Sequence, residues 1–236
     1  MATAPDAQIN HADAIAYWES IGADVNGMLG GFPHISRVDL QGSKNFMGKL
    51  GIKGKTLERV VDCGAGIGRI TNGLLVHLAE IVDIVEPITK FTSVLRDQPG
   101  IGTIYSVGLE AWSPHLEVRY DLIWNQWCLG HLTDAQLVEY LIKCGNVLKE
   151  GGYVIVKENM STHLEGKDEF DQVDNSVTRC VVYSFFGCES TREEVVADQS
   201  FRNIFEKAGL IIKKTELAKG FPAGLCPVRI YALQPK

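Results

Sequence analysis

The sequence predicts an α/β fold, a doubly wound and mostly parallel sheet of seven strands. Three observations predict it. Apolar, β-prone runs alternate with helix-like stretches from Glu58 to Ala208. A glycine-rich loop, Asp62-Cys63-Gly64-Ala65-Gly66-Ile67-Gly68-Arg69, joins the first buried strand to a helix. Two closing strands, Leu210 to Glu216 and Val228 to Leu233, read as a hairpin.

Each element has its own signal. Asn10 can cap a helix over about His11 to Ile21, with Ile15 and Trp18 on one apolar side. Val25 to Ser36 is glycine-dense yet carries Met28, Leu29, Phe32 and Ile35, a composition that predicts a flap over a pocket rather than a linker. A second helix is expected from Asp39 to Leu50. After the glycine loop a helix should run from Arg69 to about Ala79, and strand two should end at Glu86. A helix from Pro87 to Leu95, a strand from Thr103 to Val107 and a strand from Tyr120 to Trp127 come next. Thr133 and Gln136 form a capping box for a helix reaching Leu148, which Gly151-Gly152 should stop. Tyr153 to Glu158 is the fifth strand, and Ser200 to Ala208 the last helix before Gly209.

The glycine loop carries the chemistry. Glycine at every second position lets backbone approach a ligand closely, because no Cβ intervenes. The dinucleotide fingerprint needs a small residue where Arg69 stands, so the spacing is G-x-G-x-G instead. Asp62 ends the strand, where its carboxylate can meet a cationic ligand group. Glu86, at the end of the next apolar run, suits two ribose hydroxyls. Together these point to S-adenosylmethionine, whose methionine end carries a positive amine and a positive sulfur.

Bulk properties narrow the classes. The 236 residues are 45% hydrophobic, enough for one large core in a single domain. A net charge of −6 with no basic run argues against nucleic acid and suits a cationic substrate. The first ten residues show no signal-peptide pattern and no run is long enough to span a membrane. Six cysteines without a C-x-x-C pair predict reduced thiols, no zinc, and the cytosol or nucleus as the compartment.

The chain resembles the eukaryotic protein N-terminal methyltransferases, most closely fungal ones. The matching stretches are Tyr17-Trp18, Val25 to Gly31 (VNGMLGG), Asp62 to Arg69, Trp124 to Leu132 (WNQWCLGHL), Val156 to Asn159 and Asp171 to Val177 (DQVDNSV). The glycine loop is shared by many methyltransferases, whereas the flap and the D-x-x-D-x-S-V loop are specific to this family. The resemblance implies a class I, Rossmann-like core over residues 58–236, preceded by two extra helices and the flap over 1–57. It implies methylation of the α-amine of proteins beginning X-Pro-Lys or X-Pro-Arg, with S-adenosylhomocysteine as product and ribosomal proteins among the substrates. By position, Gly64, Gly66 and Arg69 would hold the methionine end of the cofactor, beside Asp62. Glu86, Pro87, Ile88, Leu109 and Glu110 would hold ribose and adenine, with Gln126 and Trp18 completing the site. Leu29, Ile35 and Trp127 would wall the channel for the substrate proline, and Asn159 would bond the substrate backbone. Asp171 and Asp174 would meet the basic third residue and the amine, with Ser176 supporting their loop. Asp174 and His131 would remove the proton from the amine, which of them takes it being left open.

Each of these residues also has a plain structural reading. His131 begins a turn, Trp127 sits where aromatics are usually core, Asp171 and Asp174 lie in an acidic loop, and Asn159 could cap a strand end. The resemblance, not the composition, favours the functional roles. Two departures bear on it. Residues 180–199 interrupt the family pattern as an insertion that opens with an apolar, cysteine-bearing run, read as a surface insertion, a partner site or translated intron, the last favoured. Gly224 and Cys226 stand where the family commonly has Glu and Tyr at the substrate entrance. The competing readings are a small-molecule methyltransferase on the same fold, and a protein that binds the cofactor with impaired turnover.

Overall fold

A computed structural model of the chain describes residues 4–115, 117–163, 166–180, 182–186 and 193–236, with 182–186 and 193–197 described as backbone. A single sheet organises it. Strands β1 (Leu57–Cys63), β2 (Ala79–Val85), β3 (Ile101–Tyr105), β4 (Tyr120–Gln126), β5 (Leu148–Asn159), β10 (Leu210–Leu217) and β11 (Val228–Pro235) lie in the order β10-β11-β5-β4-β1-β2-β3. The five strands from β1 to β5 are parallel, and β11 joins β5 antiparallel with β10 outside it. Two small hairpins stand apart, β6 (Glu169–Asp171) with β7 (Ser176–Thr178), and β8 (Val182–Phe186) with β9 (Glu193–Ala197). The apolar opening of the expected insertion is thus a strand; Cys188 and the rest of 187–192 lie outside the described residues.

Neighbouring residues of β1 point to opposite faces, and each face has its own core. Val61 and Cys63 join Val85, Ile123, Trp112 and Tyr140 under α6 (Asp134–Val147) and α7 (Gln199–Lys207). Val60 joins Val82, Leu122, Trp124 and Ile155 under α3 (Ser36–Lys49) and α4 (Arg69–Gly73), with Phe46 and Met47 supplied by α3. Near-continuous apolar runs are what a strand buried on both faces requires. Helix α1 (His11–Ser20) is capped by the Asn10 side chain, which accepts from the N–H groups of Ala12 and Asp13. The Thr133–Gln136 capping box forms as expected.

Four elements differ from the sequence expectation, each for a local reason. Helix α4 stops at Gly73 and gives way to a 3-10 turn, Leu75–His77. A Cβ on Gly73 would lie 2.7 Å from Leu40, so α3 packs where the helix would have continued. The helix after Pro87 shrinks to α5 (Thr89–Thr92), because Ile88 donates its N–H back to Glu86 rather than entering a helical turn. Strand β3 occupies 101–105, two residues earlier than expected. Gly151-Gly152 does not end a helix but lies inside β5. There the register with β4 jumps from Tyr120–Leu148 to Leu122–Tyr153, Gly151 has φ +74°, and a Cβ on Gly152 would meet the Asp121 carbonyl at 2.8 Å.

Helix α3 is part of this core rather than an appendage. Phe46, 1% exposed, is the test. Phe46→Ala should lower unfolding free energy by about 3–5 kcal/mol in urea titration, and a loss under about 1 kcal/mol would mean that α3 is not integral.

Candidate active site

The carboxyl ends of β1, β2 and β4 lie level, with Cys63 paired to both Val85 and Asn125. The loops leaving these three strands therefore meet at one place. Gly64, Gly66 and Gly68 turn the chain through φ +68°, +54° and +77°. A Cβ on Gly64 would sit 2.4 Å from Cys128, and one on Gly66 would sit 2.7 Å from Met28 Sδ. Neither position can carry a side chain without moving its neighbour.

The acids around this loop are buried and held. Asp62, 2% exposed, accepts from Thr71 Oγ1 at 2.6 Å. Burial pushes its carboxyl up to about 7, against the opposing pull of Thr71 and Arg69. Glu86 accepts from Gly66 N–H at 2.8 Å and Ile88 N–H at 2.9 Å, so it ties the glycine loop to the end of β2. Burial raises its pKa as well, opposed by those two backbone bonds.

Arg69 is anchored by a residue that the sequence reading missed. Its Nη1 lies 2.6 Å from Asp39 of α3, and its guanidinium covers the Trp127 ring at 5.3 Å. Asp39 is fully buried; it also meets Lys157 Nζ at 2.5 Å and the Gln126 amide at 2.9 Å. Lys157 donates further to Ser43 Oγ at 2.8 Å. Gln126 accepts from Trp124 Nε1 through its carbonyl, so its polar atoms are spent on the protein even though it lies on the cavity wall. The available signal was Lys157 itself, a charge inside an apolar strand, which demands a buried partner.

One cavity is lined by every residue singled out for the cofactor, from Trp18 and Asp62 through Gly64, Gly66 and Arg69 to Glu86, Pro87, Ile88, Leu109, Glu110 and Gln126. A second is lined by Leu29, Ile35, Trp127, Asn159, Asp171, Asp174 and Ser176. Trp18, Met28, Trp127 and His131 line both, so the two meet there. The flap forms the roof. It runs from α2 (Val25–Met28) through Gly30 and Gly31, at φ +55° and +89°, to a 3-10 turn at Pro33–Ile35, burying Leu29 and Ile35.

Trp127 is the strained point. It has φ +55°, rare for a bulky residue, and donates its N–H to the Lys157 carbonyl at 3.1 Å. His131 Nε2 accepts from Trp18 Nε1 at 3.2 Å. Burial lowers its pKa, while the Asp174 charge and the Asn175 backbone act the other way. Asp174 accepts from Ser176 N–H at 3.0 Å and Asp171 from Val173 N–H at 2.7 Å, so each carboxylate shapes its own turn in the β6–β7 hairpin. Glu158, Arg179 and Phe201, not anticipated from the sequence, share the second cavity. Cys226 is on that wall, whereas Gly224 occupies a turn at φ +96° beside it. Among the described residues no cluster of His, Cys, Asp or Glu is arranged to hold a metal ion.

S-adenosylmethionine tests well against this donor set. The cradle is bare backbone where side chains would intrude, a buried carboxyl on the cavity wall could meet the amine end, and an acid follows β2. Leu109, Ile88 and Phe91 give the apolar wall that a purine ring needs.

Known proteins fall into line with this geometry. Residues 6–186 match the family described as AdoMet dependent proline di-methyltransferase. The alpha N-terminal protein methyltransferase 1 of Schizosaccharomyces pombe is 41% identical over 231 residues, covering 95% of this chain and 96% of that protein. The N-terminal Xaa-Pro-Lys N-methyltransferase 1 of Xenopus tropicalis is 34% identical over 233 residues, covering 95% of each. A SAM-dependent methyltransferase structure from Leishmania major superposes with a TM-score of 0.81 at 31% identity, covering 95% of this chain and 82% of that one. The chain belongs to this family, and its fold is the class I methyltransferase fold.

The elevated Asp62 carboxyl has a thermodynamic consequence in the cofactor-free protein. The folded state holds a proton that the unfolded chain has already lost, so this group's contribution falls as pH rises from about 4 through about 7. Asp62→Asn should therefore gain on the native chain, by up to about 4 kcal/mol between about pH 4 and pH 8, in paired denaturant titrations. A difference that does not change with pH would mean that Asp62 is ionised throughout.

Proposed function

We propose that this chain methylates the α-amine of proteins whose exposed N-terminus reads X-Pro-Lys or X-Pro-Arg, using S-adenosylmethionine and releasing S-adenosylhomocysteine. The observation that carries this reading is the meeting of two different cavities at Trp18, Met28, Trp127 and His131. One has the glycine cradle and buried acids; the other is walled by Leu29, Ile35 and Trp127 and carries Asp171 and Asp174. The same reading treats the chain as one domain, with residues 1–57 forming the helices and flap, residues 58–236 the catalytic core, and 180–199 an insertion in that core. Ribosomal proteins with such N-termini are the substrates it favours, in the cytosol and nucleus.

S-adenosylmethionine supplies, when bound, a sulfonium methyl group as the electrophile. The protein has to position the amine and leave it neutral. An α-amine titrates at about 7.7–8.0, so at neutral pH a proton acceptor speeds reaction without needing to be strong. Gly64, Gly66, Asp62 and Arg69 would hold the amino-acid end of the cofactor, and Glu86 to Ile88 with Leu109 and Glu110 its nucleoside. In the second cavity, Leu29, Ile35 and Trp127 would receive the rigid, apolar proline ring. Asp171, exposed at the rim, and Asp174, half-buried behind it, offer carboxylates to a Lys or Arg at the third residue and to the amine. Asn159 would fix the substrate backbone and Ser176 the turn that carries Asp174. His131 has its Nε2 lone pair engaged by Trp18, which supports the role of partner to Asp174 over that of acceptor.

Mass spectrometry of a Pro-Pro-Lys peptide incubated with protein and S-adenosylmethionine tests the reading, against an Ala-Ala-Lys control. Stepwise methyl additions on the first peptide alone are expected, with Asp174→Asn slower by about tenfold or more. Cofactor binding without modification of either peptide would instead support a binding protein whose turnover has been lost, with Cys226 on the channel wall the residue to examine first.

A further inference from the structure

The turn between β4 and α6 is gripped from two sides. It carries Trp127 and His131, which line both cavities. From one side Glu158, near the end of β5, accepts the N–H groups of Cys128 and Leu129, both at 3.0 Å. From the other side Arg179 donates Nη1 to the Leu129 carbonyl at 3.2 Å and Nη2 to the Leu132 carbonyl at 2.8 Å. Arg179 directly follows β7, the second strand of the hairpin that carries Asp171 and Asp174.

A guanidinium that is 1% exposed needs an anion. Arg179 meets Asp134 Oδ1 through Nε at 3.0 Å and Nη2 at 2.9 Å. Asp134 opens α6, and its N–H donates to Asp6 Oδ2 at 3.0 Å, on the 3-10 turn Pro5–Gln8. That turn packs against both strands of the hairpin. The guanidinium also lies over the Phe201 ring of α7 at 5.8 Å, and the Arg179 carbonyl accepts from Ser161 N–H at 2.9 Å. β7 comes so close to the turn that a Cβ on Gly130 would lie 3.0 Å from the Val177 carbonyl and 3.2 Å from Ser176 Cβ. Asp171 and Asp174 bond only within their own turn, to Val173 and Ser176, among the hydrogen bonds described. Their placement relative to Trp127 and His131 therefore depends on what fastens the hairpin as a whole.

We propose that Arg179 is a positioning residue for the substrate: it sets the separation between the hairpin acids and the Trp127–His131 turn, and with it the selection of a basic third residue. The inference rests on the N-terminal methyltransferase reading and deepens it. In that reading Trp127 receives the substrate proline from the turn side, and the acids receive the next residue from the hairpin side. Adjacent residues of a peptide stand about 3.8 Å apart, so the two walls have to keep a fixed spacing. A misplacement of about 1 Å costs about 100-fold in turnover. A guanidinium suits the task, because its rigid plane of donors takes two carbonyls and a carboxylate at once. Arg179 acts through the two walls and not on the reacting atoms. It is also the last residue before the 180–199 insertion, so the acids are fastened before that segment begins.

Steady-state kinetics on Pro-Pro-Lys and Pro-Pro-Ala peptides test this in the wild type, Arg179→Met, Arg179→Lys and Asp134→Asn. Methionine keeps an apolar stem and removes the donors. In Arg179→Met, KM for the Pro-Pro-Lys peptide should rise about tenfold or more, and the preference for it over Pro-Pro-Ala should fall by about tenfold. S-adenosylhomocysteine affinity by calorimetry should stay within about twofold of the wild type. Arg179→Lys should recover only part of the loss, because an ammonium cannot span both carbonyls and Asp134. Asp134→Asn removes the anion from a half-exposed side chain, so it reports the same effect where Arg179→Met fails to fold. Its KM should rise about threefold or more, again with a weaker lysine preference. A purely structural role would lower kcat or the folded fraction and leave KM and the lysine preference at wild-type values. That result in Arg179→Met, or in Asp134→Asn where Arg179→Met does not fold, overturns the inference and leaves the N-terminal methyltransferase reading standing. Wild-type protein that binds S-adenosylhomocysteine but modifies neither peptide overturns both.

Discussion

The buried carboxylate of Asp39 is the constraint around which the rest is arranged. A carboxylate removed from water must be met by opposite charge and by hydrogen bonds, or the site does not form. Asp39 meets Arg69, Lys157 and Gln126, and these come from α3, the start of α4, the end of β5 and the end of β4. One ionic knot therefore joins α3 to the sheet at the level where the strands end. Both cations hold Asp39 in its charged form, against burial. Arg69 in turn lies over Trp127, and Trp127 is held to Lys157 through its own backbone. The strained residue between the two cavities is thus fixed by the same contacts that dock α3.

This knot fixes α3 against the sheet at the level of the site. A helix laid over an apolar face could slide; a helix that carries a buried charge cannot, because any displacement leaves Arg69 and Lys157 without their anion. Lys90 adds a second tether, donating to the Ile21 carbonyl at 2.6 Å just after α1 ends. The flap between α1 and α3 is therefore pinned at both ends, with Gly30 and Gly31 making the left-handed turns between them.

The fold was legible in the sequence because its signals are local. Alternating strands and helices, the Asn10 cap, the Thr133–Gln136 box and the glycine loop depend on residues a few positions apart. The elements that came out differently depend on distant partners. Gly73 ends its helix because of Leu40, and Gly152 accommodates the Asp121 carbonyl of the neighbouring strand. In the site, the residues named from the family motifs converge on two adjoining cavities. Asp39 and Glu158 were missed because an acid in a helix's first turn and an acid at a strand's end look ordinary in one dimension. Their importance arises from Lys157 and Arg69 in one case, and from two amides of the Cys128 turn in the other.

Met28 reaches from the flap onto the glycine loop, where any Cβ at position 66 would strike its sulfur. Gly66 is therefore kept bare by a neighbour within the protein as well as by any ligand. Drift at the two positions is coupled: a larger residue at 66 becomes tolerable only after position 28 has shrunk, and a shrunken 28 opens the wall between the chambers. Lineages that keep the flap methionine should keep the glycine, and the two should be inherited as a pair.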